Sequence, residues 1–220
     1  MTRQEMARLL DHSVLKPEAT GQDVVLGAEL VRQWGIGHYC VQPSVVSIAA
    51  AVLRDSPSMV ISVVGFPHGM DRSVVKVQAA TLAVEDGAAE IDMVMNVGKF
   101  KSGRTQAVAS EIGQLVQAVL GIPVKVVIEA CLLTDEEKVI ACRLIQEAGA
   151  AFVKTSTGFN PGGGATAPDV RLLRATVGPA FGVKAAGGIR TLAEALAMRD
   201  AGANRIGTTA SAAILGGLPA

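Results

Sequence analysis

The chain has 220 residues and no net formal charge, with 20 basic and 20 acidic side chains. A chain of this size buries roughly 70% of the surface that its unfolded form exposes, so its core needs neither a disulfide nor a metal. No block of like charges indicates a nucleic-acid partner or an anionic membrane surface, and no apolar run approaches the ~20 residues of a membrane span.

Short β-branched runs alternate with longer amphipathic segments, a pattern typical of βαβ units on a parallel sheet. An opening helix is predicted at Arg3 to Leu10. Eight strands are predicted, at Leu10 to Ser13, His38 to Val41, Met59 to Val64, Glu90 to Met95, Val124 to Glu129, Ala151 to Thr155, Gly182 to Ala185 and Arg205 to Thr208. Seven helices are predicted between them, at Gln22 to Trp34, Ser44 to Arg54, Ser73 to Asp86, Arg104 to Ala118, Asp135 to Ala148, Ala167 to Thr176 and Leu192 to Ala201.

The helix ends carry recognisable stop and start signals. Gly87, Gly149 and Gly202 each follow a predicted helix, where glycine adopts the left-handed conformation that closes a helix C-terminus. Thr134 and Glu137 have the spacing of a capping box. Eight strands that alternate with helices, without an intervening linker, favour a closed barrel over an open, doubly wound sheet. The prediction is an α/β fold, a single (β/α)8 TIM barrel over residues 1–220 with an extra N-terminal helix.

Two lysines lie at the ends of consecutive predicted strands, where barrel enzymes place their catalytic groups. Lys154 ends the sixth strand and Lys184 lies in the seventh. A single strand-end lysine usually extends to solvent. Two ammonium groups in one low-dielectric mouth repel, however, which is expected to lower the pKa of at least one and leave a nucleophilic amine.

Acidic side chains in the strands are the next candidates. Asp92 is expected either to transfer protons near the lysines or to form a structural ion pair with one of them; the two roles are compatible. Lys125 and Glu129 share a strand face and are expected to form an interior ion pair. Asp11, with His12, is expected either to contact a substrate hydroxyl or to cap the residues around Val14.

Small residues follow the last two strands, and barrels often bind phosphate with the loops at these positions. The candidates are Gly187, Gly188, Gly207, Thr208 and Thr209. Backbone N–H groups approach an anion closely where side chains are small. Ordinary tight turns are the alternative explanation.

The remaining signals concern metals, cysteines and location. Three histidines lack the spacing of a local metal site, so no metal is predicted: His12, His38 and His68. Three widely spaced cysteines indicate buried, reduced side chains, not a disulfide framework: Cys40, Cys131 and Cys142. The charged N-terminus lacks the apolar segment of a signal peptide, so the cytoplasm is the expected location.

Six segments together resemble deoxyribose-phosphate aldolases over nearly the whole chain. They are the segments at residues 10–17, 90–96, 153–159, 163–166, 184–190 and 205–208. The elements VKTSTG and KAAGG at their observed spacing are the most specific of these. The resemblance implies reversible cleavage of 2-deoxy-D-ribose 5-phosphate to D-glyceraldehyde 3-phosphate and acetaldehyde, in deoxyribonucleotide breakdown, without a metal or organic cofactor.

The resemblance also implies roles for individual residues. Lys154 is expected to be the Schiff-base nucleophile, Lys184 the lysine that perturbs it, and Asp92 the proton-transfer carboxylate. Further substrate contacts are expected from Asp11, Ser13, Cys40 and Thr155. The expected partners are small phosphosugar and aldehyde substrates, with no nucleic acid or membrane, and the chain is expected to form a homodimer or higher homo-oligomer.

Two departures from the family pattern affect these expectations. Phe159 stands where some members have a phosphate-binding lysine, so phosphate contacts are expected to depend on the glycine and threonine loops. Some members carry a tyrosine on a C-terminal tail, whereas Tyr39 is the sole tyrosine here and the given sequence stops at Ala220. Two other functions fit the sequence: a phosphosugar-binding barrel without turnover, and a Schiff-base aldolase for another aldehyde.

Overall fold

Eight parallel strands form a closed barrel in the computed structural model, which describes residues 1–219. The predicted domain therefore includes Ala220, which lies outside the described residues. Each strand pairs with the next along the chain, and β8 pairs with β1. The strands are β1 Leu10–Val14, β2 His38–Val41, β3 Met59–Val64, β4 Glu90–Val94, β5 Val124–Val127, β6 Phe152–Lys154, β7 Gly182–Ala186 and β8 Arg205–Thr208.

Ten α-helices surround or flank this barrel within residues 1–219. They are α1 Arg3–Leu9, α2 Gly21–Trp34, α3 Val46–Leu53, α4 Ser73–Glu85, α5 Val97–Lys101, α6 Thr105–Ala118, α7 Asp135–Glu147, α8 Ala167–Val177, α9 Leu192–Asp200 and α10 Ser211–Gly216. Two 3-10 turns lie at Pro43–Val45 and Ala130–Leu132. None of these helices has the length and apolar character that a membrane crossing needs.

The core lies mainly between the barrel and its helices. Buried outward-facing strand residues such as Val60, Ile91 and Val153 pack there against the apolar faces of the helices. The barrel interior differs, because alternation along each strand directs charged residues into it, as at Glu90 and Asp92 on β4. The predicted TIM barrel with its extra N-terminal helix is confirmed, and the interior positions are where the candidate site forms.

The cap signals are confirmed as well. Gly87, Gly149 and Gly202 all have positive φ, and the side chain and backbone of Thr134 and Glu137 form the expected capping box. Two short helices, α5 and α10, were not predicted, because five or six residues give too little periodicity to recognise. The segment predicted as one helix from Ser44 begins instead as a 3-10 turn.

Candidate active site

Eight ionisable side chains occupy the barrel interior, and each residue is at most 9% exposed. They are Asp11, His38, Glu90, Asp92, Lys125, Lys154, Lys184 and Arg205. Strands β4 and β7 are not neighbours in the barrel, yet Asp92 Oδ2 lies 2.7 Å from Lys184 Nζ, so these side chains meet across the interior. Buried charges are costly unless they are paired, so the pairing pattern determines their chemistry.

Six of these groups form a closed ring of alternating charge. In order around the ring they are Asp11, Lys184, Asp92, Lys125, Glu90 and Arg205. All six contacts lie within 3.2 Å, and each cation touches two carboxylates. Three carboxylates therefore face three cations, and this charge ring is neutral as a whole.

Lys154 lies outside the charge ring. Its Nζ atom is 2.8 Å from Asp92 Oδ2, the oxygen that Lys184 Nζ also contacts at 2.7 Å. The two nitrogens are therefore no farther apart than the sum of these contacts, about 5.5 Å. Asp92 is the sole carboxylate partner of Lys154 among residues 1–219. A protonated Lys154 thus gives the interior one positive charge more than its carboxylates balance.

Lys184 and the two aspartates of the ring keep their charged forms. Burial alone would lower the pKa of Lys184, but Asp11 and Asp92 raise it above its ordinary value. Burial alone would raise the pKa of both aspartates, but the neighbouring cations lower that of Asp11 to about 2 and hold that of Asp92 well below its usual range. His38 has a lowered pKa, chiefly through burial, and is neutral near pH 7.

A cavity of about 280 Å³ opens above Lys154 at the mouth of the barrel. This mouth cavity is lined by six residues predicted as substrate contacts: Ser13, Gly187, Gly188, Gly207, Thr208 and Thr209. Gly188 has a φ of 81°, and a Cβ added there would meet no atom within 4 Å, so its backbone borders open space. The structure therefore places the predicted glycine and threonine loops beside the amine.

Two of these glycines also have packing reasons to be small. A Cβ at Gly187 would lie 3.0 Å from the Cα of Gly164, so the two loops approach closely only without side chains. A Cβ at Gly207 would lie 3.3 Å from the Cε of Lys184, so Gly207 leaves room for that lysine. The turn explanation and the binding explanation for these glycines are thus compatible.

Three predicted substrate contacts do not line the mouth cavity. Asp11 is fully buried, and its carboxylate contacts Lys184, Arg205 and His38. Cys40 is also fully buried, in a cluster that includes Leu15, and burial raises the pKa of its thiol to about 11. The Thr155 hydroxyl links β6 to β7, since it donates to Ala186 O at 3.2 Å and accepts from Ala186 N at 3.1 Å. Their contact with substrate stays a prediction.

The predicted ion pair between Lys125 and Glu129 is wrong. Lys125 contacts Glu90 and Asp92 inside the ring, whereas the carboxylate of Glu129 accepts hydrogen bonds from Thr157. Strand β5 ends at Val127, so the alternation that put both residues on one face does not extend to Glu129.

Two basic residues of the mouth cavity were not singled out from the sequence. Lys16 and Arg190 line it beside the glycine loops, and both are exposed. Their positions gave a usable signal, because Lys16 follows β1 closely and Arg190 lies two residues after Gly188. Arg205 was also missed, since a residue at the start of a strand is not expected at a functional site.

The candidate metal ligands do not converge. Within residues 1–219, no three histidine, cysteine or acidic side chains are grouped as a metal site requires. His12 Nδ1 is 3.1 Å from Ser211 Oγ, His38 faces Asp11, and His68 is exposed at the barrel mouth. The cavity above Lys154 presents amine, guanidinium, hydroxyl and backbone groups.

The closed barrel with a buried lysine pair at its mouth fits an aldolase, a carbon–carbon lyase. Residues 6–215 match the DeoC/LacD family of aldolases. The chain belongs to this family, and the resemblance to deoxyribose-phosphate aldolases is confirmed.

Relatives agree over nearly the full length. Deoxyribose-phosphate aldolase of Caldanaerobacter subterraneus subsp. tengcongensis is 49% identical over 96% of this chain and 92% of its own. The enzyme of Thermococcus kodakarensis is 49% identical over 100% of this chain and 99% of its own. A solved deoxyribose phosphate aldolase from Aeropyrum pernix, described as a unique tetramer, superposes with a TM-score of 0.91 at 31% identity and covers 98% of this chain and 91% of its own. The family supports aldol cleavage of a deoxyribose phosphate.

Proposed function

We propose that the chain cleaves 2-deoxy-D-ribose 5-phosphate reversibly to D-glyceraldehyde 3-phosphate and acetaldehyde, through an imine on Lys154, in the breakdown of deoxyribonucleotides. One observation carries the mechanism: Lys154 lies outside the neutral charge ring and borders the mouth cavity. Its proton is the surplus charge of the interior, and removing that proton balances the site. A neutral amine attacks a carbonyl, whereas an ammonium does not.

The amine adds to C1 of the open-chain sugar, and the carbinolamine loses water to give the imine. Removal of the C3 hydroxyl proton then breaks the C2–C3 bond, and the electron pair moves into an enamine on Lys154. The electrons of the C3 O–H bond form the new C=O bond, so C3 becomes the aldehyde carbon of glyceraldehyde 3-phosphate. Protonation of the enamine at C2, followed by addition of water, releases acetaldehyde and restores the amine.

Asp92 and Lys184 are the proton-handling pair in this proposal. The carboxylate of Asp92 contacts both lysine nitrogens, so a proton passes between Lys154 and its surroundings without a large rearrangement. Lys184 is held protonated by Asp11 and keeps a fixed positive charge beside the reacting amine. Asp11 therefore acts through Lys184 in this scheme.

We assign the substrate phosphate to the mouth cavity. The exposed backbone of Gly188 and the hydroxyl of Thr209 offer donors, and Lys16 and Arg190 supply the positive charge that Phe159 does not. Arg190→Gln should raise the KM for the phosphorylated sugar about tenfold or more and leave kcat little changed, because a charged hydrogen bond is lost. Arg171→Gln, at an exposed position on α8, is the matched control.

Trapping tests the imine directly. Borohydride added with acetaldehyde should leave a reduced two-carbon adduct on the peptide that contains Lys154, and Lys154→Ala should abolish both adduct and cleavage. Lys138→Ala on α7 is the control for loss of a lysine. Full cleavage activity in Lys154→Ala would exclude the assignment.

We also propose that the reaction needs no metal or organic cofactor, because imine formation supplies the electron sink that a metal would otherwise provide. Turnover of deoxyribose 5-phosphate should therefore be unchanged after dialysis against a strong chelator. The chain is further proposed to form a homo-oligomer, as the relative described as a tetramer does. Light scattering at assay concentration tests this, and a monomeric mass would contradict it.

A further inference from the structure

Glu129 has an unusual backbone conformation next to the strand that carries Lys154. With φ 50° and ψ 65°, it is the one non-glycine residue of positive φ among residues 1–219. The residues before and after Glu129 both hydrogen-bond to the end of β6 and the residue that follows it. Ile128 N donates to Lys154 O at 3.0 Å, and Ala130 N donates to Thr155 O at 2.8 Å. Such strained residues persist only where surrounding contacts hold them, and they cluster at functional sites.

Both carboxylate oxygens of the buried Glu129 side chain accept hydrogen bonds from one residue, Thr157. Its Oε1 accepts from Thr157 N at 3.1 Å, and its Oε2 accepts from the Thr157 hydroxyl at 2.6 Å. The same hydroxyl oxygen accepts from Phe159 N at 3.1 Å. Hydrogen bonds to a carboxylate are roughly twice as strong as neutral ones. Glu129 therefore fixes residues 157–159, the segment that follows Lys154.

This segment is a wall between two cavities. Thr157 and Phe159 line both the mouth cavity and a neighbouring cavity of about 160 Å³, which Glu129 borders. The Phe159 ring also makes an edge contact with the Phe66 ring, with centroids 5.1 Å apart. Movement of the wall would widen the mouth cavity at the expense of its neighbour.

We propose that Glu129 is a positioning residue that holds this wall against the substrate phosphate and thereby sets the preference for phosphorylated over unphosphorylated aldoses. The inference rests on the proposed function, because it assigns the mouth cavity to phosphate. Glu129 does not line the mouth cavity, so it acts through Thr157.

The test compares 2-deoxyribose 5-phosphate with 2-deoxyribose as substrates. Glu129→Gln replaces charge-assisted hydrogen bonds by weaker neutral ones. It should raise the KM for the phosphorylated sugar about tenfold and change kcat/KM for 2-deoxyribose by less than about threefold. Thr157→Val, which lacks the shared hydroxyl, should show the same split. Glu137→Gln, which alters a capping carboxylate on α7, is the matched control.

Glu129→Gly is a second variant at this position, for the case in which Glu129→Gln or Thr157→Val does not fold. Glycine adopts positive φ without strain, which offsets part of the lost hydrogen bonding, so this variant should stay folded by circular dichroism and still lose the preference for the phosphorylated sugar. Equal losses for both substrates, or no loss for either, would overturn the inference.

Inorganic phosphate provides a readout independent of turnover. Titration calorimetry should show weaker phosphate binding to all three variants at Glu129 and Thr157 than to the unsubstituted protein. If the unsubstituted protein binds phosphate but cleaves no deoxyribose 5-phosphate, the proposed function fails while the role of Glu129 is still measured. Unchanged phosphate affinity in the variants would refute that role.

Discussion

Replacing Lys184 by methionine tests whether charge balance controls the reactive amine. In the unsubstituted protein four interior cations face three carboxylates, so one proton is in excess. Lys184→Met leaves three cations and three carboxylates, and the interior is then balanced only while Lys154 keeps its proton. The variant should fold but form the imine poorly.

The size of the effect follows from the separation of the two nitrogens. They lie within about 5.5 Å, where two unit charges repel by roughly 3 kcal/mol at an effective dielectric constant near 20. Every 1.36 kcal/mol is a factor of ten, so the rate near neutral pH should fall about 100-fold.

A second substitution separates charge balance from direct chemistry by Lys184. Adding Asp11→Asn to Lys184→Met leaves three cations and two carboxylates, which restores one excess proton. Steady-state cleavage of deoxyribose 5-phosphate by the double variant should recover at least tenfold over the single variant, with folding checked by circular dichroism. Lys138→Met is the control. A folded double variant as inactive as Lys184→Met would refute the role of charge balance. It would indicate instead that Lys184 takes part directly in the chemical step.

Three further predictions follow from the same contacts. Arg205→Met should slow cleavage about tenfold or more although the residue does not border the mouth cavity, and adding Glu90→Gln should restore activity; an inactive, folded double variant would contradict this. Asp11 has a folded pKa of about 2 against an ordinary value of 3.8, so its contribution to stability is complete above about pH 5 and is lost as the pH falls towards 2; urea unfolding across this window should show the decline. Burial raises the pKa of the Cys40 thiol to about 11, so iodoacetamide at pH 8 should label it at least tenfold more slowly than half-exposed Cys131, as mass spectrometry can establish.

Most strands and helices of the fold could be predicted from local sequence patterns. The bounds of β2, β3 and β8 agree with the prediction, because their β-branched or aromatic runs are framed by clear turn residues. The end of β5 was placed two residues too late, since Ile128 and Glu129 continue the pattern of apolar and charged residues. The positive φ of Glu129 ends the strand, and it is held by contacts with β6 and Thr157 that lie far away in sequence.

The site was predictable only in part. Charged residues in apolar strands pointed to Lys154, Lys184 and Asp92 as candidates, because a charge in such a place needs a partner or a function. The structure brings these three side chains into contact. The ring itself depends on barrel closure and strand register, which bring Arg205 on β8 next to Glu90 on β4 across the interior. No spacing in the sequence encodes that contact.

Under the proposed mechanism, the charge ring also determines which cation loses the surplus proton. Arg205 keeps its proton at any pH that a protein tolerates, and both ring lysines contact two carboxylates each. Lys154 shares one oxygen of Asp92 with a second ammonium, so its charged form is the least compensated of the four. A fourth carboxylate beside Lys154 would balance the charges inside the barrel, and it would also stabilise the ammonium form of Lys154, which cannot attack a carbonyl. The unmatched charge therefore lowers the stability of the fold, and it lies on Lys154, the one interior lysine that borders the proposed substrate cavity.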